Sequence, residues 1–190
     1  VMQQLFSGKL RFKDENGNEY PDWEEKKLGE VGKIITGSTP KTSNLEYYNG
    51  NRLFVSPTDI NGERFVLNTK SKLTDLGFAK GRKLIKGTVL FVCIGSTIGK
   101  VAIAGADCIT NQQINAIVAN SINYNDFIFS LLEFNASSIK LLAGVQAVPQ
   151  INKTDFSNFK FMFPILEEQQ KIANFLSSID AKIENTKGEL

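Results

Sequence analysis

Residues 163–190 read FPILEEQQKIANFLSSIDAKIENTKGEL, and this stretch carries the most regular pattern in the chain. After Pro164, a mostly apolar series recurs at intervals of four and three residues: Ile172, Leu176, Ile179, Ile183, Thr186 and Leu190. This spacing is typical of the contact face of a helix in a coiled coil. Glu167 and Glu168 stand in the first turn, where the helix dipole favours negative charge. The pattern predicts a long coiled-coil-type helix over residues 166–190.

The start of the chain also carries an apolar helical pattern. Met2, Leu5 and Phe6 precede Gly8, which is typical of the last turn of a helix. So short a helix is not stable alone, because helix nucleation is costly. The 166–190 helix could belong to the core of its own domain, but a partner helix explains both ends of the chain. We therefore predict a helix-partner interface with another copy or another part of the same polypeptide, formed by Met2, Leu5, Phe6, Ile172, Leu176, Ile179, Ile183 and Leu190.

Between these ends, short strand-like runs alternate with residues that favour turns. The predicted strands are 33–36, 52–55, 88–94, 100–104, 114–119 and 159–163, and one amphipathic helix is predicted over 126–142. Short runs favour a mixed or mostly antiparallel sheet. We predict an α+β protein with a helix remnant at 1–8, a linker at 9–27, a domain at 28–165 and the helix at 166–190.

The side chains that are missing limit the chemistry. The 190 residues include no histidine and two cysteines, which excludes a Ser-His-Asp hydrolase, a Cys-His protease and a His-ligated zinc site. Residues 95–100 (GSTIGK) are similar to a phosphate-binding loop, but one residue is missing between the glycines and Val101 replaces the magnesium-binding hydroxyl. A tight turn with Gly95 and Gly99 at positive φ is the better interpretation. We expect a non-catalytic chain with no metal site.

No apolar run approaches the roughly 18 residues that are needed to cross a bilayer. We therefore expect a cytoplasmic protein without a membrane partner.

Positive charge is concentrated in one part of the chain. Residues 70–100 contain seven Lys and Arg residues against one acidic residue, Asp75. Such an excess suits a phosphate-binding surface, although a solvated lysine-rich loop has the same composition. Loop amides and hydroxyls can read bases, although amides are also common turn formers. Together they predict contacts to double-stranded DNA from Ser38, Thr39, Lys41, Thr42, Ser43, Lys70, Lys72, Lys80, Arg82, Lys83, Ser96, Thr97, Lys100, Gln112, Gln113, Gln146, Gln150, Asn152 and Lys153.

Several blocks of the sequence resemble the specificity subunits of Type I restriction-modification enzymes. The likeness is strongest from Pro164 to Ile183 and covers essentially the full length. Its blocks are VQAVPQIN at 145–152, Asp155-Phe156, Phe163-Pro164, Glu168-Gln169, Phe175-Leu176, Asp180, the opening stretches 2–7, 11–13 and 23–31, Gly37–Pro40, Asp59-Ile60 and Gly95–Lys100. The chain is thereby identified as similar to a target recognition domain that runs into a central helix.

The resemblance implies that residues 28–165 read one half of a bipartite DNA target and that residues 166–190 form a dimerisation or spacer helix. Family members place methylation (M) subunits, which carry S-adenosylmethionine, and sometimes restriction (R) subunits, which use ATP and Mg²⁺. No cofactor is expected on this chain.

Complete subunits of the family resemble two recognition domains joined by two antiparallel helices. This chain would then be either the C-terminal half of such a subunit or a half-length form that self-associates. A different class of protein stays open as the alternative: an interaction scaffold that uses the C-terminal helix and does not bind DNA.

Overall fold

The computed structural model of the chain describes residues 1–143 and 149–188, with side chains described as far as Lys182. The helices are α1 (Met2–Phe6), α2 (Leu28–Val31), α3 (Asp75–Phe78), α4 (Asn125–Leu142), α5 (Lys153–Asn158) and α6 (Leu166–Gly188), with a 3₁₀ turn at Leu45–Tyr47. The strands are β1 (Glu24–Lys27), β2 (Gly32–Thr36), β3 (Tyr48–Val55), β4 (Phe65–Val66), β5 (Ser71–Leu73), β6 (Val89–Val92), β7 (Val101–Ala104), β8 (Cys108–Thr110), β9 (Ile114–Ala119) and β10 (Lys160–Phe163).

The strands form three sheets. A five-stranded sheet has the order β2-β9-β6-β7-β4, a three-stranded sheet the order β5-β3-β8, and β1 pairs with β10 alone. Two pairs, β3–β8 and β4–β7, are parallel, and the remaining pairs are antiparallel. The predicted α+β fold with a mixed sheet and a long C-terminal helix is confirmed.

The main core lies where α4 packs across β6 and β7, and α1 and α6 pack on α4. Phe127 on α4 contacts the rings of Phe6, Trp23 and Phe163, with ring centroids 5.7–6.2 Å apart. These rings come from α1, from the stretch before β1, and from β10. Residues of α1, β10 and the first half of α6 therefore belong to the same core as the sheet.

This core corrects the predicted helix-partner interface. Leu5, Ile172 and Leu176 are buried within the chain itself. Met2 and Phe6 are half-buried and pack on the same core. The prediction of an external partner is wrong at Leu5, Ile172 and Leu176, because α4 already covers the apolar faces of α1 and α6 on which they lie. Ile179 is half-buried, and the side chains of Ile183 and Leu190 lie outside the described residues.

The segment 9–27 also differs from the predicted linker. Residues 24–27 form β1, which pairs antiparallel with β10, and Lys13 bridges to Glu19 within a short turn. Arg11 and Trp23 both donate hydrogen bonds to Glu168 in the first turn of α6. The segment is therefore packed against the end of the chain rather than extended between two units.

In the described parts of the chain, none of the helices combines the length and the apolar character that crossing a membrane requires.

Candidate nucleic-acid interface

Strand pairing brings several polar loops to one edge of the protein. β3 and β8 are parallel and end together, with Val55 opposite Thr110. β2 and β6 both end beside the start of β9, because Thr36 pairs with Asn115 and Val92 pairs with Ile114. The loops that follow β2, β3, β6 and β8 therefore meet. We call this surface the strand-end edge, and it consists of residues 37–44, 56–59, 93–100 and 111–113.

Direct hydrogen bonds join the loop after β2 to the loop after β8. The Ser38 backbone N–H donates to the Thr110 carbonyl at 2.8 Å. The Thr39 hydroxyl donates to the Gln112 side-chain oxygen at 2.6 Å, and this pair is exposed. Each of these two loops thus presents a predicted DNA-contact residue at the same point of the edge.

Gly37 permits this close approach. A Cβ atom at Gly37 would lie 2.0 Å from the Asn111 carbonyl oxygen and 2.3 Å from the Thr110 hydroxyl. Real Cβ atoms do not tolerate such distances. Any larger residue would therefore separate the two loops. The Gly-Ser-Thr-Pro block at 37–40 owes its glycine to this contact.

The turn between β6 and β7 occupies the centre of the edge. Gly95 and Gly99 have φ angles of +90° and +97°, so the predicted glycine turn is confirmed. The backbone N–H groups of Ile98, Gly99 and Lys100 are bonded to carbonyls of residues 95, 92 and 97, so these donors are not free to cradle a phosphate. Ser96 is exposed, while Thr97 is half-buried.

Two predicted amides adjoin this turn. The Cys93 N–H donates to the Gln113 carbonyl, and Gln150 forms a β-bridge with Ile94. The Gln113 side chain accepts from Asn111 at 2.9 Å, whereas Gln150 is exposed. Gln146, which the sequence also assigned to this set, lies outside the described residues.

A network of hydrogen bonds lies beneath the strand-end edge, within the sheet. The Thr36 hydroxyl donates to Asn115 Oδ1 at 2.7 Å, and Asn115 Nδ2 donates to Cys93 Sγ at 3.2 Å. Burial raises the pKa of the Cys93 thiol to about 12, so it stays protonated at neutral pH. The network therefore holds the ends of β2, β9 and β6 together and provides no nucleophile. Sequence reasoning missed Asn115, although it interrupts the otherwise apolar run 114–119.

The positive segment 70–100 does not form one surface. Lys70 adjoins the strand-end edge, because its backbone N–H donates to Asp59 in the loop after β3 at 2.8 Å. Lys100 also lies there, with its Nζ 3.4 Å from the Pro57 carbonyl oxygen. Lys86 lies at the opposite edge, where its N–H bonds to Asp107 just before β8. The charge excess in the sequence thus combines lysines that face different directions.

Asp59 shapes the loop after β3. Its carboxylate accepts bonds from the Ser56 N–H and the Ser56 hydroxyl at 2.8 and 2.7 Å, in addition to the Lys70 N–H. The Ser56 and Thr58 hydroxyls lie 2.9 Å apart, and Thr58 is exposed. The Asp59-Ile60 pair that resembles the family motif therefore sets the form of one loop of the edge.

The other residues that the sequence predicts to contact DNA do not lie together on one surface. Lys41, Thr42, Ser43 and Lys80 are exposed, and Lys72 is half-buried on β5 opposite Leu53.

The Arg82 guanidinium donates to the Thr36 and Gly37 carbonyls at 2.7 and 3.3 Å, and the Arg82 backbone N–H donates to the Ser38 hydroxyl. Asn152 caps α5 through both side-chain atoms, which bond to Asp155. Lys83 and Lys153 line a cleft beside β2 that adjoins the edge.

Comparison with known proteins defines the class of this fold and edge. Residues 20–190 match the model of the Type I restriction modification DNA specificity domain. The chain belongs to this family, as the sequence resemblance predicted.

Individual relatives agree with that assignment. The chain is 30% identical to the Type I restriction enzyme MjaIX specificity subunit of Methanocaldococcus jannaschii, over 96% of this chain and 44% of the relative. It is 28% identical to the HindI specificity subunit of Haemophilus influenzae, over 86% of this chain and 38% of the relative. The chain thus spans less than half the length of these curated relatives.

Solved structures show the same fold. The crystal structure of the HsdS subunit from Thermoanaerobacter tengcongensis superposes with a TM-score of 0.73 at 21% identity, over 99% of this chain and 44% of that one. The S subunit of a Type I system from M. genitalium superposes with a TM-score of 0.66 at 19% identity, over 95% and 43%.

Proposed function

We propose that this chain recognises a specific sequence of double-stranded DNA through its strand-end edge, as one half of a Type I specificity subunit. The observation that carries the proposal is the convergence at one edge of hydroxyl, amide and lysine side chains from four separate loops, which contribute Thr39, Thr58, Lys100 and Gln112. Hydroxyl and amide groups are those that read base edges, and lysines bind phosphates. The match to the DNA specificity domain supports the same ligand.

The proposal extends to the assembly. The chain reads one half of a bipartite target, and the other half is read by a second recognition domain, from the same polypeptide or from a second copy. Its partners are methylation subunits, which carry S-adenosylmethionine, and in some systems restriction subunits, which use ATP and Mg²⁺. Because the ligand is DNA, the proposal places the chain in the cytoplasm.

We distinguish two kinds of contact with DNA: those that select bases and those that bind phosphates. Thr39 and Gln112 are exposed and hydrogen-bonded to each other, so they can offer a donor and an acceptor in fixed relative positions. Lys70 is exposed and adds charge without a defined direction. We therefore assign base selection to the first pair and phosphate binding to Lys70.

Selection of bound duplexes from a random library tests the proposal, followed by fluorescence anisotropy over a range of salt concentrations. We expect a short enriched motif and salt-sensitive binding. Lys70→Gln should weaken binding to all sequences alike and reduce the slope of log K against log salt by about one unit. Thr39→Ala combined with Gln112→Ala should change the enriched motif and leave the slope unchanged.

Lys86→Gln is the matched control, because Lys86 lies at the opposite edge. It should leave both the motif and the slope unchanged. The absence of any enriched motif, together with the absence of salt-sensitive binding, would contradict the proposal and favour the scaffold alternative.

A further inference from the structure

A cationic cleft runs beside the strand-end edge, along the outer side of β2. β2 is the terminal strand of the five-stranded sheet, so among the described strands none pairs with its outer edge. The cleft has a volume of about 530 Å³ and is lined by Lys33, Ile34, Ile35, Thr36, Arg82, Lys83 and Lys153. Four of these seven residues are cations and none is acidic. We call it the β2 cleft.

The charges of the β2 cleft are not neutralised within the described part of the chain. None of its four cations forms an ion pair there. Arg82 binds neutral carbonyls, and Lys83 Nζ lies 5.4 Å from the centre of the Phe78 ring. Lys33 and Lys153 are exposed. Neutral partners leave the full positive charge available to an anion.

The β2 cleft is continuous with the strand-end edge. Arg82 and Thr36 line the cleft, and Arg82 also holds the first residues of the edge through Gly37 and Ser38. From Lys33 to Thr36 the strand extends roughly 10 Å, at about 3.3 Å per residue. Phosphates of one DNA strand follow each other at about 3.4 Å along the helix axis. Because the DNA strand also winds around that axis, its consecutive phosphates lie farther apart than this rise, and the cleft is long enough to face about two of them.

We propose that the β2 cleft binds the backbone of one DNA strand next to the bases that the strand-end edge reads, with Lys33 and Lys153 as the phosphate-binding cations. This inference rests on the proposed function and adds to it a second surface that carries affinity without sequence preference. Sequence reasoning did not select Lys33. The residue lies in the strand 33–36, outside the positive segment, and becomes part of a cationic surface through the packing of α5 and residues 82–83 beside β2.

The test is the double variant Lys33→Gln with Lys153→Gln, made in the full chain. Each lost phosphate contact lowers the salt slope by about 0.9, so we expect a decrease of about two units and weaker binding to every duplex. The enriched motif should stay the same. The matched control is Lys9→Gln with Lys86→Gln, two exposed lysines outside both surfaces, and it should preserve the slope. Far-UV circular dichroism verifies that both variants are folded.

A scan of duplexes with single neutral methylphosphonates locates the contact. The parent chain should lose affinity at about two consecutive positions beside the motif, and the double variant should be insensitive at those positions. An unchanged salt slope in the double variant, with motif selection intact, would overturn the proposal that the β2 cleft binds DNA and would leave the proposed function in place. Absence of DNA binding by the parent chain would instead overturn the proposed function.

Inorganic phosphate at constant ionic strength distinguishes a small anion from a DNA backbone. If phosphate at millimolar concentration raises the melting temperature of the parent chain and not that of the double variant, the cleft is a site for a free phosphate ligand. That result would overturn the proposal. If phosphate changes the melting temperature of both proteins equally, the β2 cleft does not bind the free ion, and this supports a site that needs a polyanion.

Discussion

Glu168 is a carboxylate without exposed surface in the first turn of α6. Arg11 donates to it through Nε and Nη2 at 3.2 and 2.8 Å, and Trp23 Nε1 donates at 3.0 Å. The hydrogen bond with Glu168 raises the pKa of the Arg11 guanidinium, so this cation stays charged. The buried carboxylate is tolerated because hydrogen bonds from the Arg11 guanidinium and the Trp23 indole N–H replace those that water would otherwise make.

The amount by which replacement of Glu168 destabilises the protein should depend on whether Arg11 and Trp23 keep a hydrogen-bond acceptor. Glu168→Ala leaves Arg11 without its partner, and we expect a loss of about 3 kcal/mol in the free energy of unfolding. This is the low end for a buried pair, because a quarter of the Arg11 side chain (25%) is exposed. Glu168→Gln keeps an acceptor for Trp23 and should lose less. Urea unfolding measures both.

Glu24→Ala is the control, because Glu24 pairs with Lys26 while 74% of its side chain is exposed. Its loss should stay within about 0.5 kcal/mol. A similar small loss in Glu168→Ala would show that the buried pair does not hold the chain ends together.

At the scale of secondary structure, α6 shows why a seam of apolar residues has two interpretations. A core helix and a coiled-coil helix both present one apolar stripe, at intervals of three and four residues. What distinguishes them is the surface that covers the stripe. Here α4 covers Ile172, Ala173 and Leu176, which become part of the main core. The burial of Ile179 is partial.

The location of Leu176 in the chain's own core leads to a prediction about concentration. Leu176→Ala should lower the free energy of unfolding by about 2–5 kcal/mol, as large-to-small changes in cores do. The loss should be the same at micromolar and tenfold higher protein concentrations, measured by urea unfolding. Asn174→Ala, on an exposed position of the same helix, should have little effect.

A loss that grows or shrinks with protein concentration would contradict this placement. A contact between two chains contributes to stability by mass action and therefore depends on concentration. The original helix-partner prediction for Leu176 would then be restored.

At the scale of the whole molecule, the first 27 residues pack against β10, α4 and the first turn of α6. β1 pairs with β10, Arg11 pairs with Glu168, and the rings of Phe6 and Trp23 contact Phe127 on α4. Residues 9–27 therefore cannot separate from residues 28–165 without exposing apolar and charged groups. We expect the chain to unfold as one cooperative unit.

Trp23 provides a direct measurement of this cooperativity. It is the single tryptophan of the chain and lies in the segment that the sequence suggested is a linker. Denaturant unfolding followed by tryptophan fluorescence should coincide with unfolding followed by far-UV circular dichroism, which reports on all helices and sheets. A fluorescence transition at lower denaturant would show that the segment detaches independently.

Much of the fold could be predicted from local patterns. The strand at 114–119 has the predicted bounds, and the helix predicted over 126–142 is found as Asn125–Leu142. The missed elements are short, such as β4 with two residues, β5 and β8 with three each, and α3 with four. Runs of this length carry no recognisable period, and their hydrogen-bond partners are distant in sequence, as Leu53 and Cys108 are.

The candidate site was predictable in its residue types and less so in its arrangement. Hydroxyls, amides and lysines in polar loops indicated a DNA-binding surface, and Thr39 and Gln112 prove to be in contact. Local sequence could not show that Lys70 and Lys86 lie at opposite edges, or include Lys33, because strand direction and pairing decide which loop faces which edge. Asn152 was assigned to base reading, yet its side chain caps α5.

The amino-acid sequence by itself determined the longer elements and the chemistry: an α+β chain without histidine, with glycine turns, polar loops and a long amphipathic helix. These features depend on neighbours within a few residues along the chain. The tertiary structure alone decided which surface covers the apolar face of that helix, and which cations share the β2 cleft. Those outcomes depend on packing between residues as far apart as Arg11 and Glu168, and no local pattern contains the position of so distant a partner.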